Sequence, residues 1–157
     1  MIDIKSKICI IGEGGVGKSS LVSLLQGKII GNDRSPTIGL EIEDSILNGK
    51  KCSIWDLGGQ ERFRFMWKDF LRKSGLTVLV CDSTEENLEK TKEILERFSK
   101  HLGSKVIAIA NKQDLDSALS PATVEKKLGI KTYGMSAIKT DLREKICEIL
   151  EYEISEE

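Results

Sequence analysis

No apolar run in this 157-residue chain approaches the ~18 residues that a membrane-spanning helix needs. Its opening residues, Met1-Ile2-Asp3, do not begin a signal peptide. N-myristoylation requires a glycine where Ile2 stands, and Cys147, the last cysteine, lies too far from the end for a prenylation box. These absences predict a cytoplasmic location without a direct membrane anchor. Positive charge is also scarce as a field. The 24 Lys and Arg against 25 Asp and Glu leave a net charge of -1, and no basic cluster is long enough to suit a phosphate backbone. Nucleic acid is therefore not an expected partner. No C-x-x-C pair occurs among Cys9, Cys52, Cys81 and Cys147, which argues against zinc and redox motifs and predicts reduced cysteines in the core. There is no internal repeat, low-complexity stretch or composition break that marks a linker. With 39% hydrophobic and 31% charged residues, the chain has the balance of one globular domain spanning 1–157.

What is present is an alternation of strand and helix signals, which predicts an α/β domain with a largely parallel sheet covered on both faces. Lys7 to Ile11 reads as a strand ending at Gly12, and Lys18 to Gln26 as the helix that follows. Glu41 to Leu47 and Lys51 to Asp56 form an antiparallel pair joined by Asn48-Gly49, a type I′ hairpin signal. Leu76 to Asp82 and Lys105 to Asn111 are continuous apolar runs, the mark of strands buried on both faces. A helix is expected over Glu85 to Leu102, capped by Ser83 or Thr84, and another from Ser120-Pro121 to Leu128. Ile130 to Met135 is a weak last strand and Asp141 to Tyr152 a final amphipathic helix.

Between the first strand and first helix stands Gly12-Glu13-Gly14-Gly15-Val16-Gly17-Lys18-Ser19, which fits the phosphate-binding pattern G-x-x-x-x-G-K-[ST] in the context that gives it meaning. Glycines let the backbone N–H groups wrap a phosphate, and the helix start adds unsatisfied donors and a positive dipole end. Lys18 is expected to reach the β and γ phosphates, and Ser19 to offer Mg²⁺ a hydroxyl. The run from Gly12 through Ser20 is the candidate nucleotide-binding segment.

The base must be read elsewhere. Asn111-Lys112-Gln113-Asp114 lies at the end of a buried strand, the rim where open α/β sheets bind ligands. A carboxylate there accepts two hydrogen bonds from the N1–H and N2–H₂ edge of guanine, whereas adenine would leave Asp114 buried without donors. Asp114 thus predicts a guanine nucleotide.

Together the phosphate loop, Pro36-Thr37-Ile38-Gly39, Trp55-Asp56-Leu57-Gly58-Gly59-Gln60 and NKQD resemble a Ras-superfamily small GTPase over most of residues 5 to 150. The branch is Arf-like in WDLGGQ, in Leu115 after NKQD, and in Ser120-Pro121-Ala122 through Lys127-Leu128-Gly129; Glu61-Arg62-Phe63 is more similar to Rab or Ras. The resemblance implies a P-loop G-domain fold, with six mostly parallel strands, one antiparallel edge strand and about five helices. It also implies that GTP is hydrolysed to GDP as a molecular switch. Thr37 would bind Mg²⁺ and sense the γ-phosphate, Asp56 would hold Mg²⁺ through water, and Gly59 would give its N–H to the γ-phosphate. Gln60 would orient the attacking water, Asn111 would brace the loops, and Lys112 would lie along the base. Ser136-Ala137 would complete the guanine pocket. Effectors, an exchange factor and an activating protein would read residues 28–40 and 57–73.

Departures from the Arf pattern carry consequences. The Arf pattern's N-terminal amphipathic helix with its acylated glycine is not found in these residues, so membrane switching is not expected, and Leu40 replaces a phenylalanine of the hydrophobic effector patch. Trp55 and Phe70 match the other two patch members and equally suit a core. No aromatic precedes the switch segment, so Ile29, Ile30 or no residue covers the guanine face. Arg34 stands three residues before Thr37, the spacing of the built-in catalytic arginine of heterotrimeric G-protein α subunits; it is either that residue or a solvated loop side chain. Two rival functions are a GTP-bound scaffold that does not hydrolyse, against which Thr37 and Gln60 argue, and a P-loop ATPase or nucleotide kinase, against which Asp114 and the lack of an arginine-rich lid argue.

Overall fold

A computed structural model describes residues 6–25, 39–47, 49–103, 105–135 and 143–155. Strand β1 (Ser6–Gly12) leads into helix α1 (Lys18–Leu25), and β2 (Leu40–Leu47) pairs with β3 (Lys50–Leu57). A 3₁₀ stretch, Glu61–Met66, and the single turn α2 (Trp67–Phe70) precede β4 (Leu76–Cys81), α3 (Glu85–Phe98), β5 (Val106–Ala110), α4 (Pro121–Leu128), β6 (Thr132–Gly134) and α5 (Arg143–Ser155). The six strands lie in the order β2-β3-β1-β4-β5-β6. Among the described strands, only the edge strand β2 runs antiparallel to its neighbour. The expected sheet and helix count are borne out.

Alternation along the strands explains the layers. Ile8 and Ile10 of β1, Val78 and Val80 of β4, and Ile107 and Ile109 of β5 pack with Leu21 and Val22 of α1 and Ile146 and Leu150 of α5. The intervening Cys9, Ile11 and Leu79 point to the opposite face, against Trp67, Leu71, Ile94 and Phe98. A third cluster joins Cys81, Ala108 and Ala110 to Leu88 of α3 and Val124 and Leu128 of α4. Every residue of β4 is buried, as its unbroken apolar run predicts for a central strand with helices on both sides.

Local signals account for the ends of the elements. Leu47 faces Lys50 across the hairpin, and Gly49 takes φ +75°, the backbone that Asn-Gly turns demand. Of the two cap residues considered for α3, Thr84 is the N-cap, its hydroxyl accepting the N–H of Asn87 at 3.2 Å. Ser120 caps α4, with Pro121 in the first turn. The α3 helix stops at Phe98 although Leu102 is still buried, because the chain turns there and returns to the sheet. Cys9, Cys52 and Cys81 are buried free thiols and Cys147 is half-buried. Burial pushes the Cys81 thiol up to about 11, so its reactive thiolate is suppressed.

Candidate functional site

The loop between β1 and α1 follows the carboxyl end of a parallel strand, where the fold leaves a crevice. Glu13, Gly14, Gly15, Gly17, Lys18, Ser19 and Ser20 line a cleft of about 460 Å³ together with Gly59, Gln60 and Lys112. Three segments far apart in sequence thus share one cavity. Its floor is fixed by backbone geometry: Gly17 has φ +91°, and a side chain there would collide with the Asn111 amide.

The NKQD segment holds this loop from behind. Asn111, 2% exposed, donates from Nδ2 to the Val16 carbonyl at 2.9 Å. Lys112, at φ +60°, donates from Nζ to the Gly15 carbonyl at 2.8 Å. The left-handed conformation at a lysine is uncommon and turns its side chain across the loop. Gln113 is occupied with structure: its amide donates to Ser83 Oγ at 2.8 Å and to the Leu119 carbonyl at 2.9 Å. Asp114 lies exposed on the rim in the following turn. The expectation of a buried carboxylate for guanine is corrected here: the fold by itself leaves this one exposed.

Lys18, buried at the start of α1, is ion-paired with Asp56 at the end of β3. Ser19 is half-buried beside it and Ser20 is buried. Asp56 and Ser19 carry oxygens of the hard kind that Mg²⁺ would take, while among the described residues no three His, Cys, Asp or Glu side chains gather into a metal cage. That donor set fits a magnesium site completed by phosphate oxygens, since this ion usually binds one or two protein oxygens and keeps the rest for substrate and water.

Gly58 and Gly59 are fixed by contacts that the sequence did not signal. The indole N–H of the fully buried Trp67 donates to the Gly58 carbonyl at 3.0 Å, and Arg64 Nη2 donates to the Gly59 carbonyl at 3.3 Å. The Gly58 N–H in turn reaches the Gly39 carbonyl at 2.8 Å. Nothing in a glycine-glutamine loop followed by an irregular stretch marks Trp67 as its anchor. Glu13 is a second surprise: while the residue lines the cleft, its carboxylate accepts Asn87 Nδ2 at 3.0 Å and lies 3.3 Å from Lys90 Nζ, both on α3.

Trp55 and Phe70 are each half-buried, their ring centroids 6.4 Å apart and the planes tilted by 56°. They pack on the second core cluster while remaining partly exposed, so the core reading holds in part. Arg34, Thr37, Ser136, Ala137, Ile29 and Ile30 lie outside the described residues. Among the described residues, no helix is long and apolar enough to cross a membrane.

Comparison with known proteins agrees with the geometry. The model of the ADP-ribosylation factor family matches residues 2–154. ADP-ribosylation factor-like protein 4D of Mus musculus is 37% identical over 140 residues, covering 83% of this chain and 69% of that protein. ADP-ribosylation factor-like protein alp41 of Schizosaccharomyces pombe is 30% identical over 134 residues, 83% of this chain and 72% of its own. ADP-ribosylation factor J of Dictyostelium discoideum is 30% identical over 131 residues, 80% of this chain and 69% of its own. With the fold, the glycine loop and these matches in hand, the chain belongs to the ADP-ribosylation factor family of Ras-superfamily small GTPases, and it binds GTP and hydrolyses it as a molecular switch.

Proposed function

We propose that residues 1–157 act as one G domain whose cleft holds GTP with Mg²⁺, and that the residues gathered there divide the work of binding and hydrolysis. The observation that carries this reading is the convergence of the 12–20 loop, Gly59-Gln60 and Lys112 on a single cleft of about 460 Å³. Backbone N–H groups from Gly12 to Ser20 and the α1 terminus cradle the phosphates. Lys18 meets the β and γ oxygens, and Gly59 donates its N–H to the γ-phosphate. Ser19 and Asp56, with Thr37, would hold Mg²⁺, which when bound neutralises charge on the phosphate oxygens.

Gln60 orients a water for in-line attack on the γ-phosphorus. The new P–O bond forms as the bond to the β-phosphate oxygen breaks, leaving GDP and inorganic phosphate with no covalent enzyme intermediate. Asp114 selects guanine, Lys112 lies along the base, Asn111 keeps the phosphate loop in place and Ser136-Ala137 closes the base pocket. Arg34 would add transition-state charge neutralisation in cis, the step worth testing by Arg34→Ala in single-turnover hydrolysis. Loss of the γ-phosphate releases Thr37 and Gly59, so residues 28–40 and 57–73 carry the nucleotide state to effectors and regulators.

Retention of labelled GDP, GTP and ATP by the purified chain, with millimolar Mg²⁺ and after chelation, tests the binding half of this reading. Guanine nucleotides retained in Mg²⁺ and shed on chelation support it. Equal retention of ATP, or indifference to chelation, contradicts it.

A further inference from the structure

A carboxylate inside a phosphate-binding loop adds negative charge near the ligand that the loop's N–H dipoles attract. Glu13 occupies such a position, and its side chain is only 21% exposed. The fold turns it outward. Glu13 Oε2 accepts the Asn87 amide at 3.0 Å, and Oε1 lies 3.3 Å from the Lys90 ammonium. Asn87 is itself rigidly held, 6% exposed, with its Oδ1 accepting the Asp82 N–H at 2.9 Å and the Thr91 hydroxyl at 3.3 Å. Lys90 stands half exposed on α3, with Glu86 3.7 Å away on the preceding turn. A second cavity of about 420 Å³ opens beside this contact, lined by Glu13, Gly14, Gln60, Arg64, Lys90 and Glu93 among others. One wall of that cavity is therefore the phosphate loop and the other is α3.

We propose that Lys90 is a positioning residue for the nucleotide site: acting through Glu13, it holds the loop carboxylate against α3 and neutralises it, so that α3 sets how tightly guanine nucleotide is retained. The inference rests on the reading of residues 12–20 as the phosphate loop. Two effects combine. The pair keeps the backbone at Glu13-Gly14 in register with Gly59-Gln60, and it cancels a negative charge that would otherwise face the phosphates. The second effect has a sign that simple structural support lacks: Lys90 matters only while Glu13 is charged.

The test is dissociation of fluorescent GDP from the full chain in Mg²⁺, measured for wild type, Lys90→Met, Glu13→Gln and the double variant, with thermal melting of each as a fold control. Glu13→Gln keeps an acceptor for Asn87 and removes the charge, so it sets the second reference rate. Lys90→Met is expected to speed release about 3- to 5-fold in the Glu13 background, the scale of a partly exposed pair. It should leave the rate unchanged in the Glu13→Gln background. Lys90→Arg should restore slow release, and the Lys90→Met effect should shrink at about 0.5 M salt. Equal acceleration in both backgrounds, or none in either, overturns the proposal. If wild type fails to retain GDP at all, the phosphate-loop reading falls first and takes this inference with it, an outcome distinct from a flat cycle on a protein that does retain it.

Discussion

The Lys18 ammonium and the Asp56 carboxylate are paired directly with each other, with side chains only 7% and 4% exposed. One is the lysine expected on the phosphates and the other the carboxylate expected on Mg²⁺. Each charge therefore has the other as its partner in this buried setting.

Lys18→Met should lower guanine-nucleotide affinity by at least ~100-fold, since it removes a buried charge from beside the phosphates. It should also lower the stability of the nucleotide-free chain by about 3 kcal/mol, because Asp56 keeps its charge and loses this cation. Nucleotide titration and denaturant melting of the stripped protein check the two halves separately.

Asp114→Asn should reverse the base preference. Asparagine presents a donor where the carboxylate only accepts, so guanine loses its two-pronged contact while xanthine, with a carbonyl at C2, gains one. GTP affinity is expected to fall by on the order of 10³-fold or more, and competition against xanthosine triphosphate measures the switch.

Gly17→Ala should abolish nucleotide retention more completely than Gly14→Ala. The alanine methyl at 17 meets the Asn111 amide on a backbone at φ +91°, whereas a methyl at 14 meets no heavy atom within 4 Å. The strain at 17 is about 1–3 kcal/mol before the clash is counted. Retained-nucleotide assays on both variants give the ranking.

Glu153 supplies a prediction on pH. Burial alone would raise its carboxyl, but the Tyr133 hydroxyl, 2.6 Å away, and the Lys131 ammonium, 3.1 Å away, more than offset this and hold it below the ordinary 4.5. A carboxyl lowered by folding contributes stability that is present above 4.5 and is lost as pH falls through the folded value. Glu153→Gln should therefore destabilise the protein by about 2 kcal/mol at neutral pH, with the gap to wild type closing below that range. Melting curves from pH 7 to about 3 follow it.

Much of this molecule is legible without coordinates because its signals are contiguous. The phosphate loop is one string between a strand and a helix, Asn48-Gly49 specifies its hairpin, and β4 and β5 are unbroken apolar runs. The segment from Glu61 to Phe70 is not legible, since a 3₁₀ stretch without buried residues and a four-residue helix leave no period to read. Trp67 is hidden there although it is completely buried. Apolar spacing carried the α3 expectation past its true end, because Leu102 is buried from a turn and mimics another helical step. The weak strand at 130–135 shortens to Thr132–Gly134, where every residue is only half-buried. Within the site, the phosphate-loop glycines and Lys18 could be read from spacing, and the bracing role of Asn111 from the family resemblance. The turn of Glu13 toward Asn87 could not, since the two are 74 residues apart and only the packing of α3 beside the loop brings them together.

Single-turnover phosphate release from preloaded protein, comparing GTP with ATP in millimolar Mg²⁺ and wild type with Gln60→Leu, tests the hydrolysing switch most directly. The account predicts release from GTP alone and on the order of 10²-fold slower release in Gln60→Leu, the scale of a mispositioned nucleophile, with GTP still retained. Release from ATP as fast as from GTP, or a Gln60→Leu protein as fast as wild type, would contradict it.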